Sequence, residues 1–252
     1  MNEQEMLTQI HRIFHPSLPR LGPGDDDSTA RALGLLPATA RRADRHVLDL
    51  GCGNGAQTLC LARLLAGKIT AVDNHRPFLD ALTARAIAAG VADRIEPLCA
   101  DMAAITPQQG PFDLIWCEGA IYNMGSERGL RHFRHLLPQG YLALTEMNWL
   151  GSERPAVCQE FFARVNLPVL DIDGTLELIA EVGFRTLGHF VLPASSWWTD
   201  YYTPLLLRLA KLRQDRPDDS PLMEMIGQVE EEIEVYRRHW QSYGYVFYVM
   251  QA

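Results

Sequence analysis

The chain has 252 residues, 47% of them hydrophobic and 21% charged, with 23 Lys and Arg against 31 Asp and Glu for a formal net charge of −8. That apolar content excludes an intrinsically disordered chain and is enough for one large core. The acidic balance disfavours non-specific binding to nucleic acid or to an anionic membrane surface. Cys52, Cys60, Cys99, Cys117 and Cys158 are odd in number and form no CxxC pair, which argues against a disulfide framework or a zinc ribbon and for a reducing compartment. No basic region followed by an apolar run opens the chain, and no apolar stretch reaches the ~18 residues of a membrane span. The expectation is a cytoplasmic protein with no nucleic-acid or membrane partner and no metal.

Met6, Ile10, Ile13 and Phe14 recur at helical spacing, predicting a short helix over 2–14 that stops before Pro16. A turn-rich stretch leads through Asp25–Asp27 into a capped helix start at Ser28. From residue 46 strands and helices alternate. Strands are predicted at 46–50, 68–72, 95–99, 112–117, 141–145, 186–191 and 245–250. Helices are predicted at 56–66, 77–89, 128–137 and 173–182, the last with Asp173 as its cap. This alternation predicts an α/β fold, a Rossmann-like sheet covered by helices on both faces. The pattern breaks at 193–240, where Ser220-Pro221 opens a helix with an apolar stripe from Leu222 to Trp240 and a run of glutamates at 230–234 read as a solvated face. One domain is expected, with an N-terminal helical cap over 1–44, a core over 45–192, a helical insertion or lid over 193–240 and a final strand over 241–252. The apolar stripe of the 220–240 helix could also serve a homodimer.

The most informative run is Val47-Leu-Asp49-Leu-Gly51-Cys52-Gly53-Asn54-Gly55-Ala56, a strand, a glycine turn and a helix start. Glycines allow positive φ and close approach of a ligand to the backbone, and open α/β sheets bind ligands at the carboxyl ends of their strands. Gly51-x-Gly53-x-x-Ala56 satisfies a loosened dinucleotide fingerprint, so NAD is one candidate. Asp49 favours another. A carboxylate beside the turn repels a pyrophosphate by ~4 kcal/mol at ~4 Å and an effective dielectric of ~20. The ammonium and sulfonium of S-adenosyl-L-methionine are attracted to it. Further acids stand at the following strand tips. Asp73, with Asn74 beside it, could accept both ribose hydroxyls. Asp101 could accept from the adenine amino group while Met102 packs on the ring. Glu118, after the fourth strand, stands at the reacting end of the cofactor.

These motifs, Asp49-Leu-Gly51-Cys-Gly53-Asn-Gly55, Asp73, Ala100-Asp101-Met102, Phe112-Asp-Leu-Ile-Trp116 and Leu137-Pro-Gln-Gly140, resemble in order and spacing the class I S-adenosylmethionine-dependent methyltransferases. Glu118-Gly-Ala-Ile-Tyr122-Asn123, with the ending Gly244-Tyr-Val-Phe-Tyr248, is similar to a bacterial group of small-molecule methyltransferases over most of the chain. The resemblance implies a seven-stranded sheet, mostly parallel with an antiparallel last strand. It also implies that Gly51 and Cys52 hold the methionine end, with Gly53, Gly55 and Gln57 in the same turn, Asp73 the ribose, and Asp101 and Met102 the adenine. One departure concerns nucleic-acid amino methyltransferases, which carry an Asn/Asp-Pro-Pro-aromatic motif after strand four. Glu118-Gly-Ala-Ile121 replaces it here, against base methylation.

Methyl transfer is a displacement at a carbon the sulfonium already activates, so the protein supplies chiefly position and electrostatics. Glu118 and Tyr122 are the candidate catalytic residues. Tyr122, Glu146, Trp149, Trp197, Trp198 and Tyr201 are candidates for binding a small-molecule acceptor, through aromatic faces and through carboxylates that suit a basic amine. His132 and His135 have i,i+3 spacing but alternate with Arg131 and Arg134, the pattern of a solvated basic face, and His189 reads as a core histidine. The expected function is transfer of a methyl group from S-adenosyl-L-methionine to a small molecule. The alternatives are an NAD-dependent oxidoreductase and a non-enzymatic S-adenosylmethionine-binding module.

Overall fold

The computed structural model describes residues 3–42 and 44–252. Its strands are β1 (His46–Leu50), β2 (Lys68–Asp73), β3 (Ile95–Cys99), β4 (Leu114–Cys117), β5 (Tyr141–Trp149), β6 (Leu170–Asp171), β7 (Arg185–Val191) and β8 (Tyr243–Gln251). They form one sheet in the order β3-β2-β1-β4-β5-β8-β7, with the two-residue β6 added against the far end of β5. β1 to β5 are mutually parallel, and β8 runs antiparallel to both β5 and β7. This is the expected Rossmann-like sheet with an antiparallel last strand. It has eight strands rather than seven because β5 runs on to Trp149, keeping register with β8 as far as Tyr243, and so offers β6 an edge. Being internal, β8 is buried along nearly its whole length, which is why Tyr-Gly-Tyr-Val-Phe-Tyr-Val-Met reads as an unbroken apolar run.

The helices are α1 (Glu3–Ile13), α2 (Asp26–Leu35), α3 (Ala56–Leu64), α4 (Arg76–Ala88), α5 (Ser126–Leu136), α6 (Ala156–Arg164), α7 (Ile172–Glu181), a short α8 (Ser195–Trp197) running through a π-turn at Trp198–Tyr202 into α9 (Thr203–Asp215), and α10 (Ser220–His239). Two apolar clusters lie on opposite faces of the sheet. One gathers Leu33, Leu61, Leu79, Leu205 and Ile226, and the other Leu130, Phe133 and Ile179. Asp171, not Asp173, caps α7. Its carboxylate accepts from the Gly174 amide at 2.9 Å, because the strand residue before the helix already has the extended backbone a cap needs. α6 was not expected, although Cys158, Phe161 and Phe162 mark its buried face at helical spacing. His189 lies exposed on the edge strand β7 against Tyr248, not in the core.

Residues 16–25 run across the carboxyl edge of the sheet and are held from both sides. The Asn54 amide donates to the carbonyls of Pro16 (3.2 Å) and Leu18 (2.6 Å), and Arg85 donates to those of Pro16, Leu18 and Pro19. On the other side Gly24 N donates to Ser196 O, Arg20 N to Asp200 O, and the Ser196 hydroxyl to the Asp25 carboxylate. The N-terminal strap and the α8–α9 insertion therefore form one roof. Among the described residues no helix is long and apolar enough to cross a membrane, and no group of three or more His, Cys, Asp or Glu is placed to hold a metal ion.

Candidate active site

Strand order reverses between β1 and β4, so the loops at their carboxyl ends diverge and leave a crevice, the place where open α/β sheets bind ligands. The glycine turn fills that place, and at Gly51 and Gly55 no side chain fits. Gly51, Gly53 and Gly55 have φ of 72°, 53° and 85°. A Cβ on Gly51 would stand 2.3 Å from Ala120 Cβ across the crevice, and one on Gly55 would stand 2.1 Å from Leu82 Cδ1. Gly51 N and Cys52 N both donate to Val72 O at 2.9 Å, tying the turn to β2. The resulting cleft, of about 80 Å³, is floored by Gly51, Cys52, Gly53 and Gln57, walled by Glu118 and Gly119, and roofed by Arg20–Pro23.

The acids on this side are each hydrogen-bonded within the chain. Asp49 is fully buried and turned toward α3. It accepts from Thr58 Oγ1 at 2.6 Å and from Gln57 Nε2 at 3.4 Å, so it lies behind the turn rather than facing the cleft. Burial, reinforced by the charges of Glu118 and Asp73, pushes its pKa up to about 7 against the pull of Thr58 and Gln57. Asp73 accepts from Gly53 N and His75 N, both at 2.9 Å, which aims its carboxylate along the turn. Burial raises its pKa, and those amides oppose the rise. Asn74 is exposed beside it. Asp101 is exposed and caps a short turn through the Ala103 amide, with Met102 buried next to it.

Glu118 is the most heavily engaged. Its Oε1 accepts from Trp116 Nε1 (2.8 Å) and Thr29 Oγ1 (2.7 Å), and its Oε2 from Arg20 (3.4 Å). Arg20 also holds Asp26 at 2.9 Å. Burial raises the Glu118 pKa, with Arg20, Thr29 and Trp116 opposing. Glu118 thus joins β4, the roof and α2 in one network. Arg20 and Thr29 carry no motif around them, and nothing in the sequence marked them.

Past Gly119 the character changes. Gly119 lies against the ring edge and hydroxyl of Tyr245, and its amide donates to Thr145 Oγ1 at 2.7 Å. Around Tyr245 stand Tyr122, Glu146 and Glu232, whose charges act on its phenol and, with burial first, push its pKa well up. Tyr201 feels the same Glu232, Tyr245 and Tyr122. Trp197 stacks on Tyr236 at 4.0 Å and leans on Tyr245 at 5.3 Å. Trp197 and Tyr201 thus pack together through Tyr202, whereas Tyr122 is half exposed and Glu146, paired with Val246, faces the other side of the sheet from Tyr245; Trp198 lies half-buried behind Trp197 with Arg237 over its ring. Trp149 is elsewhere. It packs between Phe162 and Tyr243 under α6. Glu232 is a correction. Glu230, Glu231 and Glu234 pair with surface arginines, but Glu232 turns inward and accepts from Tyr202 OH at 2.9 Å. Its place between Val229 and Tyr236, three and four residues away on the buried stripe, was the signal in the sequence.

The methyltransferase domain family matches residues 47–140, the span from β1 through the end of α5 to the turn before β5. Over those residues the chain is similar to that family, and the match covers less than half of its length. Trans-aconitate 2-methyltransferase of Paracidovorax citrulli is 35% identical over 124 residues, 48% of this chain and 45% of that protein. The 27-O-demethylrifamycin SV methyltransferase of Amycolatopsis mediterranei is 30% identical over 118 residues, 46% of this chain and 42% of that protein. The chain spans about half the length of the curated relatives it matches. An S-adenosylmethionine-dependent methyltransferase of Thiobacillus denitrificans, solved with S-adenosyl-L-homocysteine, shares the fold at a TM-score of 0.77 and 20% identity over 99% of both chains. The corresponding protein of Geobacter sulfurreducens, with the same ligand, gives 0.75 at 21% identity over 98% of this chain and 97% of that one. In both cases the likeness extends past the methyltransferase domain to the roof and the last strands.

Proposed function

We propose that the protein transfers a methyl group from S-adenosyl-L-methionine to a small-molecule acceptor. The observation that carries this is the glycine turn at the β1–β4 switch point, closed on one side by Ala120, with Glu118 in its wall, Asp73 bonded along the turn, Asp49 buried behind it and no phosphate-binding cation on its floor. A sulfonium amino acid suits that negative field, and a diphosphate does not. Bound there, the cofactor supplies an electrophilic methyl carbon on a sulfonium. Gly51, Cys52 and Gly53 would seat its methionine end with backbone amides, and Gln57 would line the same floor. Asp73 keeps one free lone pair on each oxygen for a ribose diol, and Asp101 and Met102 lie further along the same edge for the base. The strap over 20–23 would exclude water, which raises the worth of every polar contact beneath it. Glu118, already committed to Thr29, Trp116 and Arg20, sets the field and the roof position rather than moving a proton.

Relatives that act on trans-aconitate and on a rifamycin support a small organic acceptor. Unpaired cysteines suit a reducing cytoplasm. Calorimetric titration with S-adenosyl-L-methionine and S-adenosyl-L-homocysteine tests the reading. Micromolar binding of both, weakened by Asp73→Ala, is expected. NADH binding in place of both, or no binding of either at millimolar concentration, overturns it.

A further inference from the structure

The cleft beside the glycine turn is small, and its charge is balanced. At about 80 Å³ it has space for about five to eight water-sized groups. That is too little for a whole nucleoside cofactor and the right size for an amino-acid head, a nitrogen, an α-carbon and a carboxylate. Among the described residues that line it, Arg20 is the only cation and Glu118 the only anion. Both side chains are buried, at 6% and 5% exposure, and they meet at 3.4 Å. A charge-assisted hydrogen bond closes to about 2.7–2.9 Å, so this bridge is slack where the other contacts of both groups are tight. Asp26 holds the guanidinium at 2.9 Å, and Thr29 and Trp116 hold Glu118 at 2.7 and 2.8 Å.

The slack falls on atoms with capacity to spare. Thr29 and Trp116 both donate to Glu118 Oε1, which leaves Oε2 to Arg20. A guanidinium carries five N–H donors, and among the described residues the Arg20 side chain meets only Asp26 and Glu118. The roof closes over this bridge. The Arg20 amide donates to Asp200 O at 3.3 Å, and a Cβ on Gly24 would stand 2.7 Å from Arg20 Nη1 and 3.1 Å from Glu118 Oε2. A ligand of one sign would meet a like charge in so small a space, a phosphate against Glu118 or a simple amine against Arg20. A zwitterion sets each of its charges against the opposite one.

We propose that Arg20 is a cofactor-binding residue, taking the carboxylate of the methionine head of S-adenosyl-L-methionine while Glu118 Oε2 takes its ammonium. This rests on the reading of the cleft as the S-adenosyl-L-methionine site and goes beyond it, because the glycine turn offers no charged group to that carboxylate. The head widens a slack bridge instead of breaking a tight one, and Asp26 and Thr29 keep the two side chains in place as it enters. Arg20 stands on the 16–25 strap, which Asn54 and Arg85 tie down through Leu18 O. The roof thereby becomes part of the cofactor site, and Arg20 separates an adenosyl amino acid from an adenosyl amine or a bare thioether.

The test is calorimetry on the full chain with three ligands: S-adenosyl-L-homocysteine, its decarboxylated analogue, which keeps the ammonium, and 5′-methylthioadenosine, which lacks the head. The wild type should bind S-adenosyl-L-homocysteine about tenfold or more tighter than the decarboxylated analogue. Arg20→Met should bring S-adenosyl-L-homocysteine down to about the level of that analogue, while weakening the analogue and 5′-methylthioadenosine by no more than about twofold. Arg20→Lys keeps a charge for Asp26 and Glu118 but not the fork, so it should retain only part of the preference, and it decides on the same ratio should Arg20→Met not fold. Equal wild-type affinity for S-adenosyl-L-homocysteine and the decarboxylated analogue overturns the proposal. So does a preference undiminished in the variant that decides, or a loss shared equally by all three ligands, which is what a purely structural Arg20 would give. Failure of S-adenosyl-L-homocysteine to bind the wild type would instead refute the cofactor reading.

Discussion

The crevice has a finished side and an unfinished one. Beside the glycine turn every carboxylate is answered: Asp49 by Thr58 and Gln57, Asp73 by two backbone amides, Glu118 by Thr29, Trp116 and Arg20. On the other side, Glu146 Oε2 and the Trp197 indole N–H are left over among the described residues. The lesson is that the first side is preorganised by the chain itself, whereas the second gains its last hydrogen bonds from whatever enters. Substitutions that break packing or hydrogen bonds on the finished side should therefore be costly to stability, and those on the unfinished side costly mainly to binding.

The largest effect is expected at Gly55. Its φ of 85° and the 2.1 Å approach of a Cβ to the fully buried Leu82 combine backbone strain with overpacking. Together these cost about 4 kcal/mol in Gly55→Ala, or a fall of about 10 °C in Tm for a chain of this size. Gly53→Ala sharpens the comparison. A Cβ there meets the flexible end of Leu21 at 3.1 Å, so the Tm should fall by only a few degrees, roughly a quarter as much, while S-adenosyl-L-homocysteine affinity falls because the cleft floor is raised. Equal Tm losses for the two would show that the turn is rigid throughout and not only at its helix end.

Asp49 comes next, and its effect depends on pH. Its pKa rises from 3.8 to about 7 on folding, so the folded chain holds a proton there that the unfolded chain has lost. The stability this contributes is fully present below about pH 4 and is lost as pH rises to about 7. Asp49→Asn should therefore match the wild type near pH 4 and exceed it by up to about 4 kcal/mol above pH 7 in urea unfolding. The same variant should bind S-adenosyl-L-methionine more weakly, with an affinity that no longer improves as pH rises through 7. A variant no more stable at pH 8 than the wild type would mean that Thr58 and Gln57 fully offset burial.

The finished side was also the legible one. The Gly51-x-Gly53-x-Gly55 turn and the acids at successive strand tips are local features with fixed spacing, and each βα unit repeats the same rhythm, so β1 to β4, α3 and α4 lie within a few residues of expectation. What was not legible, the Glu118 network of the finished side included, is assembled from residues far apart in sequence. Arg20 and Thr29 reach Glu118 across 98 and 89 positions, and no periodicity encodes such a meeting. The stretch 193–215 folds as a short helix, a π-turn and a longer helix, whose junction has no single period. Glu232 was hidden by composition: in a run of four glutamates only its phase relative to Val229 and Tyr236 separates it from its solvated neighbours.

Glu118→Gln tests whether the network at the roof is structural. The amide keeps the shape but offers one acceptor where Thr29, Trp116 and Arg20 present donors, leaving a buried donor unmet at a cost of about 2 kcal/mol. The Tm should fall by about 6 °C. Turnover measured with saturating cofactor should change little, since Glu118 holds the roof rather than the reacting proton. A loss of turnover with unchanged Tm would give Glu118 a chemical part.

The smallest expected effect on stability, and the one that decides most about the comparison, is at Trp197. The side chain is 3% exposed and stacked on Tyr236 at 4.0 Å, which in an ordinary core would make its truncation expensive. Yet its indole N–H is buried without a partner, a standing cost of about 1–3 kcal/mol that Phe does not carry. Trp197→Phe keeps the stack, gives up some packing area and removes that cost. Thermal melts should place it within about 0.5 kcal/mol of the wild type, while acceptor binding to the S-adenosyl-L-homocysteine complex weakens several-fold, on the order of one lost hydrogen bond. A drop of about 2 kcal/mol or more, of the size seen when buried aromatics are cut back, would make Trp197 a strut of the roof. The contrast between the two sides would then rest on Glu146 alone.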